Sequence, residues 1–278
     1  MSMTNRNPYI SFPSEILDVI KHTEKEYTFR MAFQGDVKPG QFFEVSIPKF
    51  GEAPISVSGI EEGVSVDLTI RRVGRVTNMV FEHMKGESLL MRGPYGNGFD
   101  LDLYRDGEVI VVAGGTGVSP VRGVVEALSL TEDAADKHVI VGFRSPDDML
   151  FRKDLANWEE RLDLWLTVDG APEGYEGKVG LVTKYIPEIE LKDVSSARAI
   201  VVGPPAMMRF SVMGLLEKGF KEENIWVSQE RKMCCGLGIC GHCRCRISPL
   251  TQRQDTETED DASCHPASFR LLRRCGFP

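Results

Sequence analysis

The feature that most constrains the fold of this chain is a change in hydrophobic period near Asp100. Before that point apolar and polar residues alternate, for example over residues 27–33 and 64–70. Such alternation predicts antiparallel strands with one buried face and one face in water. Glycine and proline interrupt the runs at spacings suited to tight turns, so residues 10–100 are predicted to form a small β-barrel or sandwich. On the strand at 64–70 the face expected in water carries Ser65, Asp67 and Thr69.

Beyond Asp100 the apolar residues come in continuous runs, as strands covered on both faces of a parallel sheet require. After the first run, Ser119 is a plausible helix N-cap with Pro120 as the first helical residue. A second helix is predicted from Ala206 to Lys218. Residues 104–228 therefore predict a doubly wound α/β domain. The four apolar runs are 109–113, 139–143, 164–168 and 199–203.

Composition excludes several classes of function. The formal net charge is -8, which leaves no basic field for nucleic acid or anionic lipid. Residues 1–13 are polar and lack the apolar core of a signal peptide, and the purest aliphatic run, 109–112, is too short to cross a bilayer. We therefore expect a soluble, cytoplasmic protein with no nucleic-acid or membrane partner.

The seven cysteines all follow Met233, which argues against a disulfide framework and favours a metal site. Cys235, Cys240 and Cys243 have the C-x4-C-x2-C spacing of the plant-type two-iron two-sulfur (2Fe-2S) loop. Glycines within the loop allow the backbone to curl, so that its N–H groups can approach the negatively charged sulfides. The loop therefore predicts an iron–sulfur cluster.

A fourth thiolate has to come from beyond this loop. Cys264 is our prediction, and Cys245 and Cys275 are alternatives. Two other interpretations of the loop stay open. One is a zinc knuckle that uses His242, and the other is a redox-active pair formed by the last two loop cysteines.

Two glycine-rich turns, at 113–120 and 203–208, each follow a predicted buried strand and open a predicted helix. Glycine lets a pyrophosphate approach the backbone, and the helix N-terminus offers unpaired N–H groups. Either turn alone would also fit a purely structural role, but two such turns at one edge of a parallel sheet predict a nucleotide crevice. The residues predicted to line it are Gly114, Gly115, Thr116, Gly117, Gly203, Pro204, Pro205 and Met207.

Taken together, these segments resemble the ferredoxin–NADP reductase superfamily over roughly residues 10–246. The branch is that of the electron-transfer subunits of dihydroorotate dehydrogenase, the gamma subunits of sulfhydrogenase and, most closely in the loop at 230–243, the B subunits of anaerobic sulfite reductases. The resemblance implies an FAD-binding barrel at 1–103, an NAD(P)-binding domain at 104–228 and a 2Fe-2S segment at 229–278. The polar and basic stretch at 248–278 departs from the family pattern.

The resemblance also implies which residues hold FAD. Residues 53–56 correspond to the family's flavin motif, with Ser56 near the reactive edge of the flavin and Ala53 in place of the usual arginine. Charge compensation for the FAD phosphates then falls to Arg71 or to the turn at 74–77. The residues expected to contact FAD are Pro54, Ile55, Ser56, Ser58, Arg71, Gly74, Val76 and Thr77.

The implied activity is electron transfer from NAD(P)H through FAD and the cluster to a separate catalytic subunit of a hetero-oligomer, with a ferredoxin-like subunit as a further possible partner. No residue is predicted to act as a catalytic acid or base. The resemblance implies sulfite as the terminal acceptor, with a hydrogenase or a dihydroorotate dehydrogenase as the alternative partner. A different class of hypothesis is a zinc-stabilised nucleotide-binding module without catalysis.

Overall fold

A computed structural model describes residues 7–228 and 233–240. Within them a closed antiparallel barrel precedes a six-stranded parallel sheet. The fold class predicted from the two hydrophobic periods is confirmed. None of the helices in the described ranges combines the length and the apolar character needed to cross a membrane.

The barrel closes in the strand order β1-β2-β5-β4-β3-β6. Alternate side chains such as Phe29, Met31 and Leu68 fill its interior and are completely buried. Burial of each such side chain stabilises the fold by about 1.5–3 kcal/mol. The elements are β1 (Phe12–Lys21), β2 (Glu26–Ala32), β3 (Phe42–Ile47), β4 (Gly51–Glu61), β5 (Ser65–Arg71), helix α1 (Arg75–Val80) and β6 (Ser88–Tyr95).

The outer face of β5 is not in water. Ser65, Asp67 and Thr69, expected on a wet face, are only 2%, 6% and 7% exposed. The prediction was wrong because that face is covered by the second half of the chain: Arg122 donates a 2.9 Å hydrogen bond to the carbonyl oxygen of Ser58 on β4, next to β5. Polar side chains on this face are therefore buried between the two halves.

The second half is a sheet of order β10-β9-β8-β7-β11-β12 in which all neighbouring strands are parallel. The chain moves outward from β7 to β10 and then returns to the other side of β7, so a topological switch point lies between β7 and β11. The strands are β7 (Val109–Gly114), β8 (Lys137–Phe143), β9 (Asp163–Val168), β10 (Lys178–Val179), β11 (Arg198–Val202) and β12 (Ile225–Ser228). The helices are α2 (Asp102–Arg105), α3 (Val118–Ser129), α4 (Arg152–Glu159), α5 (Val182–Tyr185) and α6 (Pro205–Lys218).

Helix α3 begins two residues earlier than predicted, at Val118 rather than Pro120. Its N-cap is Gly117 rather than Ser119, because a 3-10 turn at Gly115–Gly117 already winds the chain into the helix. Ser119 therefore lies in the first helical turn, where its buried hydroxyl has no hydrogen-bond partner. Helix α6 likewise starts at Pro205, one residue before the predicted start.

Helix α3 also connects the two halves of the chain. Besides bonding to Ser58, Arg122 donates a 2.6 Å hydrogen bond to Asp154 on α4 and lies with its guanidinium 5.0 Å from the ring centroid of Phe151. A Cβ added at Gly59 would lie 2.5 Å from Arg122 Nη1, so the guanidinium would have to move away from β4. These contacts fix the orientation of the sheet against strand β4.

Candidate functional site

A crevice with a volume of about 560 Å³ lies between the outer face of the barrel and the carboxyl edge of the parallel sheet. It is located at the switch point between β7 and β11, where ligands of doubly wound sheets bind. Most of the residues proposed from the sequence meet on its walls. Those from the barrel are Pro54, Ile55, Ser56, Arg71 and Thr77, and those from the sheet are Gly114, Gly115, Thr116, Gly117, Gly203, Pro204 and Pro205.

Four of the proposed residues lie elsewhere. Ser58 is buried beside the crevice and bonds to Thr69 Oγ1 at 2.7 Å. Gly74 is the N-cap of α1, where its N–H donates to Thr77 Oγ1 at 2.9 Å. Val76 packs against the barrel core. Met207 covers Gly114 and Gly203, while its neighbour Met208 lines the crevice.

Several lining residues were missed in the sequence. Val202 and Ser228 end strands β11 and β12, and the rule that ligands bind at the carboxyl ends of parallel strands could have found them. Thr69 was assigned to a wet strand face, and no local signal reveals that the second half buries it. The other lining residues outside the proposed set are Ala53, Val73, Ser119, Pro120 and Met208.

The glycines of the two turns are needed for close packing. A Cβ added at Gly117 would lie 2.6 Å from the carbonyl oxygen of Val202, and one at Gly114 would lie 2.4 Å from Met207 Sδ. Gly115 has a φ of 56°, which residues other than glycine rarely adopt. At Gly115 a Cβ would meet no atom within 4 Å, so this backbone is open to a ligand.

The chemistry of the crevice suits a dinucleotide. Ser119 is 3% exposed and its Oγ has no partner, so it is available to bind a ligand oxygen. Arg71, the one cationic side chain among the described lining residues, is paired with Glu26 at 3.1 Å and keeps a partly exposed guanidinium. A cation, an unpartnered hydroxyl and open glycine backbone are the groups that bind phosphates.

The cysteine loop is described as far as Cys240. Gly236 and Gly238 have positive φ values of 76° and 77°, and the N–H of Leu237 points at Cys235 Sγ at 3.3 Å. Burial raises the pKa of the Cys235 thiol, but hydrogen bonds from the backbone of Cys240, Leu237 and Ile239 outweigh it and lower the pKa to about 6. The lowered pKa favours the thiolate form of Cys235, which is the form in which a cysteine binds metals.

Arg92 on β6 anchors this loop to the barrel. Its Nη1 donates to the carbonyl oxygen of Cys235 at 2.7 Å and its Nη2 to that of Cys234 at 3.2 Å. The same guanidinium forms an ion pair with Glu52 at 2.7 Å and lies 4.0 Å from the buried carboxyl group of Glu44. Burial raises the pKa of Glu44 to about 7, although Arg92 opposes the shift.

Two of the proposed iron ligands, Cys243 and Cys264, lie outside the described residues, as does His242. Cys240 is exposed at the end of the described loop. Within residues 7–228 and 233–240 no three His, Cys, Asp or Glu side chains are grouped so that they could hold a metal. The positive φ values of Gly236 and Gly238 and the lowered pKa of Cys235 nevertheless fit an iron–sulfur loop.

Comparison with known proteins indicates the family to which the chain belongs. Residues 111–212 match the family described as oxidoreductase NAD-binding domain. The chain is 34% identical over 258 residues to sulfhydrogenase 2 subunit gamma of Pyrococcus furiosus, covering 85% of this chain and 89% of that one. It is 30% identical over 229 residues to a probable dihydroorotate dehydrogenase B (NAD(+)) electron transfer subunit of Thermoplasma volcanium, covering 82% of each.

Among solved structures, the NADH-dependent reduced ferredoxin–NADP oxidoreductase studied for flavin-based electron bifurcation aligns with a TM-score of 0.70 and 25% identity. The alignment covers 84% of this chain and 82% of that one. Both the barrel and the parallel sheet thus have counterparts in a single reductase, and the crevice lies between them. The chain therefore belongs to the ferredoxin–NADP reductase family and is an electron-transfer oxidoreductase that uses NAD(P)H and FAD.

Proposed function

We propose that this chain is the electron-entry subunit of a larger reductase, which passes electrons from NAD(P)H through FAD and a 2Fe-2S cluster to a separate catalytic subunit. The observation that carries the proposal is the attachment of the cysteine loop to the barrel wall that also forms the crevice. In the strand register, Glu44 on β3 lies opposite Arg92 on β6 and, on the other side, opposite Pro54 on β4. Since neighbouring strands lie about 4.8 Å apart, the loop anchor and the crevice wall are separated by about 10 Å.

The proposed roles follow from chemistry. FAD, when bound, accepts electrons in pairs from nicotinamide and releases them singly. Arg71 and Thr77 would hold its phosphates, and Ser56 would lie at the reactive edge of the ring. The glycine turns at 114–117 and 203–205 would admit the nicotinamide nucleotide to the backbone.

In the proposed cluster, Cys235, Cys240 and Cys243 supply three thiolates and Cys264 the fourth. The lowered pKa of Cys235 supports this assignment, because it increases the share of thiolate, the form that binds iron. The clustering of all seven cysteines after Met233 also supports the expected cytoplasmic location, since free thiols persist in a reducing compartment.

For the terminal acceptor we propose sulfite, reduced to sulfide on the partner subunit, on the strength of the sequence of the cysteine loop. A second candidate, a hydrogenase-type partner, is favoured by the 34% identity with the sulfhydrogenase gamma subunit. The same electron-transfer role would serve a dihydroorotate dehydrogenase. Purification of the native complex, followed by assays of sulfide formed from sulfite and of NAD(P)H formed under hydrogen, decides between the first two.

The cluster itself is tested by flavin, iron and acid-labile sulfide analysis of protein purified without oxygen. We expect FAD, iron and sulfide in the wild type, and a Cys235→Ser variant that keeps FAD but loses iron. Cys234→Ser is the matched control, because Cys234 is an adjacent exposed cysteine outside the proposed ligand set. A wild-type protein that holds zinc and no flavin would instead support the nucleotide-binding module without catalysis.

A further inference from the structure

Three neighbouring strands of the parallel sheet carry a glycine at their carboxyl ends. Gly114 on β7 lies opposite Gly142 on β8 in the strand register. Gly203 directly follows β11, and a Cβ added there would lie 3.2 Å from the backbone nitrogen of Gly114. The three glycines therefore form a row without side chains at the edge of the sheet. Gly114 and Gly203 line the crevice, whereas the described lining residues do not include Gly142.

The side chain of Met207 fills the space over two of these glycines. A Cβ added at Gly203 would lie 2.9 Å from its Sδ and 2.8 Å from its Cε, and one at Gly114 would overlap the same Sδ. Ile110 and Val112, which precede Gly114 by four and two residues on β7, pack in the core cluster that α6 covers. The thioether thus supplies the packing that side chains at Gly114 and Gly203 would supply in an ordinary strand.

Met207 belongs to α6 but not to the wall of the crevice. Its side chain is partly buried and packs against the core on the α6 side of the sheet, whereas the described lining includes its neighbour Met208. An unbranched thioether is flexible and polarisable, so it fits an irregular gap between two backbones. Met207 therefore acts on a ligand of the crevice through the turns that it contacts.

The first turn needs such a contact, because three of its four residues, at 114–117, are glycine. Glycine has the greatest backbone freedom of any residue, so a turn of this composition is ordered by its contacts. Gly117 is held by β11, since a Cβ there would lie 2.6 Å from the carbonyl oxygen of Val202. Met207 holds Gly114. Because ordering a mobile segment on binding lowers affinity, a turn that is already ordered binds a nucleotide more tightly.

We propose that Met207 is a positioning residue for the nicotinamide nucleotide. Its thioether keeps the turn at 114–117 and the turn at 203–205 at the separation in which both can contact the nucleotide. This role differs from the direct contact that the sequence predicted for Met207. The proposal deepens the proposed function and rests on its assignment of the crevice as the nucleotide site.

Met207→Ala tests this role because it opens a space beneath both turns. We expect the dissociation constant of NAD⁺ or NADP⁺, measured by calorimetry on the oxidised FAD-bound protein, to rise about tenfold. The limiting rate of flavin reduction by NADH or NADPH in stopped flow should change by less than about twofold, because looser turns weaken the ground state and the transition state alike. FAD content should equal that of the wild type.

Val182→Ala is the matched control. Val182 on α5 covers Gly142 as Met207 covers Gly114, since a Cβ added at Gly142 would overlap Val182 Cγ1. The control opens the same kind of space over the same row, one strand farther from the switch point. It should lower the free energy of unfolding in urea, as Met207→Ala does, but leave the dissociation constant at the wild-type value. Equal weakening of binding in both variants would mean a general loss of packing and would overturn the positioning role.

A double variant tests the contact itself. Gly114→Ala places a Cβ in the space that Met207 Sδ occupies, so it should also weaken binding about tenfold. In Gly114→Ala/Met207→Ala the new methyl group replaces part of the thioether, so the weakening should stay at about tenfold instead of reaching the roughly hundredfold product of the single variants. The full product in the double variant would overturn the contact as the origin of the effect.

Comparison with Gly117→Ala separates failure of this proposal from failure of the proposed function. An unchanged dissociation constant in Met207→Ala, together with a raised one in Gly117→Ala, would overturn the positioning role alone. Unchanged values in both variants would remove the turns from the nucleotide site and would overturn the proposed function of the crevice as well.

Discussion

Arg92 Nη1 donates a 2.7 Å hydrogen bond to the carbonyl oxygen of Cys235, which joins the cysteine loop to a barrel strand. The guanidinium is almost fully buried and also holds Glu52, so one side chain connects the loop, the ion pair and the wall of the crevice. Its position explains how a loop far along the chain is kept close to the barrel.

Replacement of Arg92 by methionine should therefore destabilise the protein. Glu44 and Glu52 lose their cation, and removal of one partner of a buried ion pair costs about 3–5 kcal/mol. We expect the free energy of unfolding in urea to fall by about that amount, and bound iron to be lost with it. Arg75→Met, at an exposed arginine, is the control and should change stability little. Equal stability of Arg92→Met and the wild type would contradict the anchoring role.

Gly117→Ala should weaken nucleotide binding. The added Cβ would lie 2.6 Å from the carbonyl oxygen of Val202, so the turn has to shift, and such overpacking costs about 1–3 kcal/mol. The KM for NADH or NADPH should rise about tenfold, since 1.4 kcal/mol is a factor of ten in affinity. Gly170→Ala is the control, because no atom lies within 4 Å of its Cβ position. A KM equal to that of the control would remove this turn from the nucleotide site.

Arg122→Met should slow hydride transfer without loss of FAD. The substitution removes the hydrogen bond to Ser58 and the ion pair with Asp154, which orient the sheet against the barrel. A small misplacement of donor and acceptor costs about a hundredfold in rate, so we expect flavin reduction by NADH or NADPH in stopped flow to slow by about ten- to a hundredfold. Arg161→Met, at an exposed arginine of the same domain, should retain the wild-type rate.

His22 should make stability depend on pH. Its pKa is lowered in the folded protein from the ordinary value of 6.5, so the unfolded chain binds more protons at mildly acidic pH. The contribution of His22 to stability is therefore complete above pH 6.5 and is lost as the pH falls through the folded pKa. Urea unfolding of the wild type and His22→Gln across this range should show the wild type losing its advantage toward acid. An advantage that grows toward acid would mean that the pKa is raised instead.

The two hydrophobic periods predicted the barrel and the parallel sheet correctly, because each period reflects how neighbouring side chains pack. Val66, Leu68 and Ile70 alternate because they fill the barrel interior, and the run at Val109–Val112 is continuous because both faces of that strand are packed with apolar side chains. The crevice was predictable for a related reason, since a strand followed by glycine and a helix places Gly114 and Gly203 at the same sheet edge.

What the sequence could not predict depends on contacts between distant segments. Thr69 has the pattern of a solvent-exposed position and becomes buried only because α3 lies over β5 and β4. The role of Arg92 is equally hidden, since its partners Glu52 and Cys235 are 40 and 143 residues away. Ser119 was expected as a cap because the 3-10 turn ahead of it has no distinctive residue pattern beyond its glycines.

The central claim, that a flavin links a pyridine-nucleotide crevice to thiolate-bound iron in this one chain, is tested most directly by an anaerobic redox titration. Oxygen-free protein is titrated with NADH or NADPH, with dithionite as the reference, and followed by visible absorbance and electron paramagnetic resonance. The account predicts uptake of about three electrons per chain, with bleaching of the flavin and an iron signal of one unpaired spin. Bleaching of the flavin with no iron signal under either reductant would contradict it.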